Sequence, residues 1–111
     1  MTELLEMTPQ EVESRRAGGE RMTLMDVREP EEFALTRIEN SELIPMRSVP
    51  AELQRLEGLA DEGSLMVICH HGVRSLQVVQ WLRERGVENC FSVAGGIDRW
   101  SREVDAGVPR Y

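Results

Sequence analysis

The stretch Leu65-Met66-Val67-Ile68-Cys69-His70-His71-Gly72-Val73-Arg74-Ser75 decides the fold. Its first five residues are apolar without a break, as expected of a central strand covered by helices on both faces. A short loop containing Gly72 follows. From Arg74 or Ser75 to Arg85, the apolar residues Leu76, Val79 and Leu82 recur at helical spacing, with Val78 and Trp81 beside them, and Gly86 ends the run.

Outward from this unit the same alternation continues. Thr8 reads as a helix cap, with Pro9 at the first helical position, Glu11 reaching back and Gly18-Gly19 as the stop. Thr23–Val27 reads as a strand, Glu31–Leu35 after Pro30 as a short helix and Leu43-Ile44 as a brief strand. Ser48 is expected to cap a further helix, with Pro50 in its first turn, Leu53 and Leu56 on its apolar face and Gly58 near its end. Cys90–Val93 is the last strand, and Gly95-Gly96 turns the chain into a helix around Ile97 to Arg102. Alternating strands and helices imply an α/β fold with a parallel sheet. Ligands of such sheets bind beyond the carboxyl ends of the strands, which points at Cys69.

Residues 1–111 are expected to form a single domain, since a chain of this size buries enough surface to fold alone. Apolar residues make up 41% and charged residues 30%, as in ordinary globular proteins. The net charge of −7 disfavours nucleic acid or an anionic membrane as partner. All 13 basic residues are Arg, so there is neither a Schiff-base lysine nor a P-loop lysine. Met1–Glu6 has no basic leader or apolar signal core, so a cytoplasmic location is expected. Cys69 and Cys90 form no Cys-x-x-Cys or metal-ligand pattern and are expected to be free thiols.

The chemistry gathers on Cys69. It leaves a buried strand just before a helix whose first N–H groups lack internal partners. Successive loop amides, with Gly72 permitting a tight turn, form a nest for an anion that the helix dipole reinforces. This field favours a thiolate and hence a nucleophile. Arg74 adds a permanent planar cation able to clamp an oxyanion, and His70 and His71 add partial charge below about pH 6.5. The plainer alternatives are a structural core cysteine and histidines that are merely polar loop residues. A metal site is disfavoured because neighbours in a tight loop rarely converge on one ion.

These residues resemble the rhodanese family, specifically its small single-domain bacterial members. Three segments in order carry the resemblance: Asp26-Val27-Arg28, Cys69-His70-His71-Gly72-Val73-Arg74-Ser75, and Gly95-Gly96-Ile97-Asp98-Arg99-Trp100. It implies a five-stranded parallel sheet flanked by helices on both faces, and sulfane-sulfur transfer through a Cys69 persulfide. The donor would be one such as thiosulfate and the acceptor cyanide or a thiol. The loop residues His70, His71, Gly72, Val73, Arg74 and Ser75 would bind substrate, with Arg74 on the donor's sulfonate. No metal or organic cofactor is implied. A thioredoxin-like or sulfur-relay protein is the implied macromolecular partner.

Two positions depart from the family pattern. Thr36-Arg37 replaces a common Gly-His, so a turn there is expected to differ, and Asn40 stands where Gly is frequent, an exchange that left-handed backbone angles tolerate. Asp26 and Arg28 are expected to be structural, as a buttressing pair near the site. Cys90 is expected to be core, while Gly95-Gly96 and Trp100 are expected to set a turn and pack the last helix. One rival is a cysteine phosphatase or arsenate reductase, but such loops follow Cys-x5-Arg, whereas four residues separate Cys69 from Arg74. Another is a persulfide carrier or binding module that hands sulfur to a protein partner.

Overall fold

Every residue of Ser64–Ile68, strand β4, is buried, and its side chains divide between two apolar layers by the two-residue period of a strand. The computed structural model describes residues 4–111, so Met1–Glu3, half of the stretch read for a leader, lie outside the described residues. Leu65, Val67 and Cys69 face one layer with Leu56, Val78, Val79 and Leu82. Met66 and Ile68 face the other with Val12, Ile97 and Trp100. The uninterrupted apolar run therefore has the cause expected of it: helices cover both faces.

The chain order is β1 (Glu6–Met7), α1 (Pro9–Ala17), β2 (Met22–Asp26), α2 (Pro30–Leu35), β3 (Glu42–Leu43), a 3-10 stretch (Met46–Glu52), α3 (Leu53–Glu62), β4, α4 (Val73–Glu84), β5 (Cys90–Val93) and α5 (Gly96–Glu103). The five strands form one parallel sheet in the order β1-β5-β4-β2-β3. Helices α3 and α4 contribute to the first apolar layer, α1 and α5 to the second. The chain runs out from β2 to β3, returns to β4 and continues the opposite way to β5. The carboxyl end of β4 therefore lies at the reversal of strand order, where open α/β sheets form their crevices.

Local signals explain most boundaries. Thr8 Oγ1 accepts from the Glu11 amide at 3.1 Å, while the Glu11 side chain bonds Arg15 instead of closing a capping box. Gly86, at φ +89°, stops α4 where its left-handed backbone lets the Val87 amide return to the Leu82 carbonyl. Asn40 holds φ +68°, as its tolerance of that region allows. At Thr36-Arg37 the backbone is extended at Thr36, and the Arg37 guanidinium lies over the Phe33 ring.

Two expectations need correction. The chain from Ser48 does not enter an α-helix at once: Met46–Glu52 is 3-10, Pro45 stands at its start, and the α-helix begins only at Leu53. Pro50 has no N–H to give to an α-type ladder, which favours the tighter turn. Gly58 then lies inside α3 rather than near its end, which comes at Gly63. The edge strand β1 has no signal in the sequence, because two residues with one buried side chain, Met7, carry no measurable period.

Candidate active site

Cys69 emerges from β4 with 1% exposure, and three groups converge on its sulfur. The Gly72 amide donates to Sγ at 3.1 Å, the Ser75 amide at 3.3 Å, and Ser75 Oγ lies 3.3 Å away. Gly72 makes this possible at φ +99°, a left-handed angle that reverses the loop into α4. Among the described residues, the N–H groups of His71, Val73 and Arg74 find no acceptor within the chain. Such a rim of unsatisfied amides at a helix N-terminus suits an anion. Val73 is itself two-thirds exposed at this edge.

The loop rests on the start of α5. The Ile97 amide donates to the Cys69 carbonyl at 2.8 Å, and the Asp98 amide to the His70 carbonyl at 3.1 Å. Gly96, at φ +62°, lies so close beneath that a Cβ there would sit 2.4 Å from both carbonyl oxygens. Gly95-Gly96 therefore does more than turn the chain into a helix: it is the floor of the loop. The sequence offers the pair of glycines as a signal but not what they lie against.

Arg74 does not stand free over the sulfur. Its Nη1 and Nη2 donate to Glu32 Oε1 at 2.7 Å and Oε2 at 3.0 Å, a bidentate pairing. Glu32 also accepts from the Glu29 amide at 3.0 Å and the Tyr111 hydroxyl at 2.6 Å. The Arg74 bonds above all, with help from Tyr111 and Glu29, outweigh burial and hold the Glu32 carboxyl down to about 2. The same pairing raises the Arg74 pKa against the opposing effect of burial.

Glu32 and Tyr111 are site residues that the sequence did not announce. The spacing of Glu29 and Glu32 is that of a helix cap, a local signal, whereas nothing in the sequence singles out Tyr111. Its ring stacks on His70 at 3.9 Å and 9°, and His70 stacks in turn on His71 at 3.8 Å. His70 Nε2 lies 3.1 Å from the Tyr111 main-chain oxygen. Burial, and next the adjacent His71, push the His70 imidazole below its ordinary pKa.

Asp26 and Arg28 form an ion pair with both residues fully buried. Arg28 Nε donates to Asp26 Oδ1 and Oδ2 at 2.9 and 3.0 Å, and Nη2 to Oδ2 at 2.7 Å. The remaining N–H groups go to the carbonyls of Glu32 and Thr36 and to the Tyr111 hydroxyl. The pair thus joins the end of β2 to α2 and the tail, and none of these bonds goes to Cys69.

Cys90 is buried, with Sγ 3.3 Å from the Val87 carbonyl, and burial pushes its thiol pKa up against the pull of Arg83. Both cysteines are free thiols. His70, His71 and Asp98 offer ligand-type atoms within 4.8 Å of one another. The two carboxylate oxygens of Asp98 already serve Arg110 and Arg102, and the two imidazoles stack on each other. Among the described residues no helix is long and apolar enough to cross a membrane.

A family model described as the rhodanese-like domain matches residues 8–103. The whole chain is 35% identical to the adenylyltransferase and sulfurtransferase MOCS3-2 of Zea mays, of which it spans 24%. It is 32% identical to the thiosulfate sulfurtransferase GlpE of Vibrio cholerae over 71% of this chain and 72% of that protein. The crystal structure of SSP1007 from Staphylococcus saprophyticus superposes with a TM-score of 0.79 at 33% identity, covering 96% of this chain and 100% of the other.

Proposed function

The chain belongs to the rhodanese-like domain family, and on that premise we propose that it is a sulfurtransferase carrying sulfane sulfur as a persulfide on Cys69. The observation that carries this reading is one buried sulfur that accepts from the Gly72 and Ser75 amides and lies 3.3 Å from the Ser75 hydroxyl. Donors fixed before reaction stabilise an anion without reorganisation. They suit a thiolate first and a persulfide anion next, the latter against the amides of His71, Val73 and Arg74.

The reaction has two displacements. The Cys69 thiolate attacks the outer sulfur of thiosulfate, an Sγ–S bond forms, the donor's S–S bond breaks and sulfite leaves with the electron pair. An acceptor, cyanide or a thiolate, then takes that sulfur, and Cys69 departs as the thiolate again. Neither step needs a metal or organic cofactor. Asp26 and Arg28 act as a buttress. This domain acts in the cytoplasm, without nucleic acid or membrane as partner, in keeping with its net charge of −7.

A second reading is favoured by one observation. Both Arg74 Nη atoms are held by Glu32, so a sulfonate has to compete with a carboxylate for them. That favours persulfide donors and delivery to a thioredoxin-like or sulfur-relay protein over thiosulfate turnover. The phosphatase and arsenate reductase readings are weakened by the four-residue spacing from Cys69 to Arg74.

Incubation with thiosulfate or glutathione persulfide should add one sulfur to the protein, seen by intact mass and absent in Cys69→Ser. Preference for the persulfide supports delivery to a partner. No adduct from either donor, or from a protein persulfide, overturns the sulfurtransferase reading. Turnover of an aryl phosphate that disappears in Cys69→Ser would replace it with a phosphatase.

A further inference from the structure

Ser92, on β5, is fully buried, and its Oγ lies 2.7 Å from Ser75 Oγ, which in turn lies 3.3 Å from Cys69 Sγ. Among the described residues Ser92 Oγ has no other hydrogen-bond partner, and Ser75 Oγ bonds only Ser92 and the sulfur. Apart from the two amides that donate to the sulfur, the three atoms are therefore a chain with two gaps. Each gap takes one hydrogen.

The neutral thiol state has three hydrogens for those gaps, one on sulfur and one on each hydroxyl. Whichever way they turn, one is left in a buried place without an acceptor, an unfavourable arrangement. Ionising Cys69 leaves two. Ser92 then donates to Ser75 Oγ, Ser75 donates to Sγ, and nothing is left over. Ser75 alone would give its proton to sulfur while its own oxygen went unpaired in the core.

We propose that Ser92 is a positioning residue for the Cys69 anion, its hydroxyl donating to Ser75 Oγ and so committing the single Ser75 proton to the sulfur. This rests on reading Cys69 as the nucleophile, but not on what it carries. Once Cys69 bears an outer sulfur, the negative charge moves away from Sγ. The Ser75 proton stays on the Sγ side, because the other gap already holds the Ser92 hydrogen.

The test is the rate of Cys69 alkylation by iodoacetamide across pH 5 to 10, read on the Cys69 peptide by mass in wild type, Ser92→Ala and Ser92→Thr. In Ser92→Ala the midpoint of the profile should rise, and the rate below it fall roughly 3- to 10-fold, the size of one lost hydrogen bond between neutral groups. Ser92→Thr, which keeps the hydroxyl, should restore the wild-type profile. On a Ser75→Ala background, Ser92→Ala should add no further shift. An alanine profile that superposes on wild type, a threonine profile displaced like alanine, or a full shift without Ser75 would overturn the proposal. Should Ser92→Ala not fold, Ser92→Cys retains the size with a weaker donor, and an unmoved profile there overturns it equally. Because alkylation needs no sulfur donor, a failure of sulfur transfer alone would leave this result standing.

Discussion

A Cβ on Gly96 would lie 2.4 Å from the carbonyl oxygens of both Cys69 and His70, at a backbone φ of +62°. Gly96→Ala should therefore lose at least about 2 kcal/mol in urea unfolding, from the left-handed angle and the collision together. Sulfur uptake by Cys69 should slow in the fraction that remains folded. His70 makes a separate prediction at this scale. Its folded pKa is depressed, so the unfolded chain binds the extra proton first, and stability is lost as pH falls from about 6.5 through the folded value. His70→Gln should flatten the fall in thermal midpoint between pH 6.5 and 5.

Helix α2 reaches the site through one side chain. Glu32 takes both Nη atoms of Arg74, and its removal should leave that cation for a donor. In Glu32→Gln the KM for thiosulfate should fall by a few-fold while that for a neutral persulfide stays put. Unchanged KM values for both would show that the pair does not govern donor choice. The pairing also has a pH signature. The Glu32 carboxyl sits at about 2, below its unfolded value, so its stabilisation is present above about pH 4.5 and lost as pH falls toward 2. Acid unfolding of Glu32→Gln should be shallower across that interval.

Elements with a long periodic signal were legible in the sequence. The run Leu65–Ile68, the helical spacing of Leu76, Val79 and Leu82, and the capped start at Thr8 are each local, so neighbouring residues suffice to read them. What was not legible depends on distant partners or is too short to show a period. Glu32 meets Arg74 across 42 positions, and Tyr111 meets Glu32 across 79. Ser92 reads as one small polar residue in a strand until the sheet sets β5 beside β4 and the start of α4. Cys69 stands out as a candidate in the sequence because its strand, loop and helix are contiguous.

Across the whole molecule, the buried Asp26–Arg28 pair ties the carboxyl end of β2 to α2 and to Tyr111. Removing one partner leaves an uncompensated buried charge. Asp26→Ala should therefore cost about 3–5 kcal/mol in chemical unfolding, a large part of what a small domain has. A loss below about 1 kcal/mol would mean that water reaches Arg28.

The bonds from the Ile97 and Asp98 amides to the Cys69 and His70 carbonyls bear on the order in which the protein is made. During synthesis the nucleophile emerges well before the glycine floor beneath it. Until Gly96 and the following turn of α5 have left the ribosome, the loop lacks the support that fixes its amides. A nascent chain should then carry Cys69 as an ordinary thiol, poorly suited to collecting sulfur. A fragment ending at Ala94 should alkylate at Cys69 with the pH profile of an unfolded cysteine, so that reactivity arrives only with the last helix.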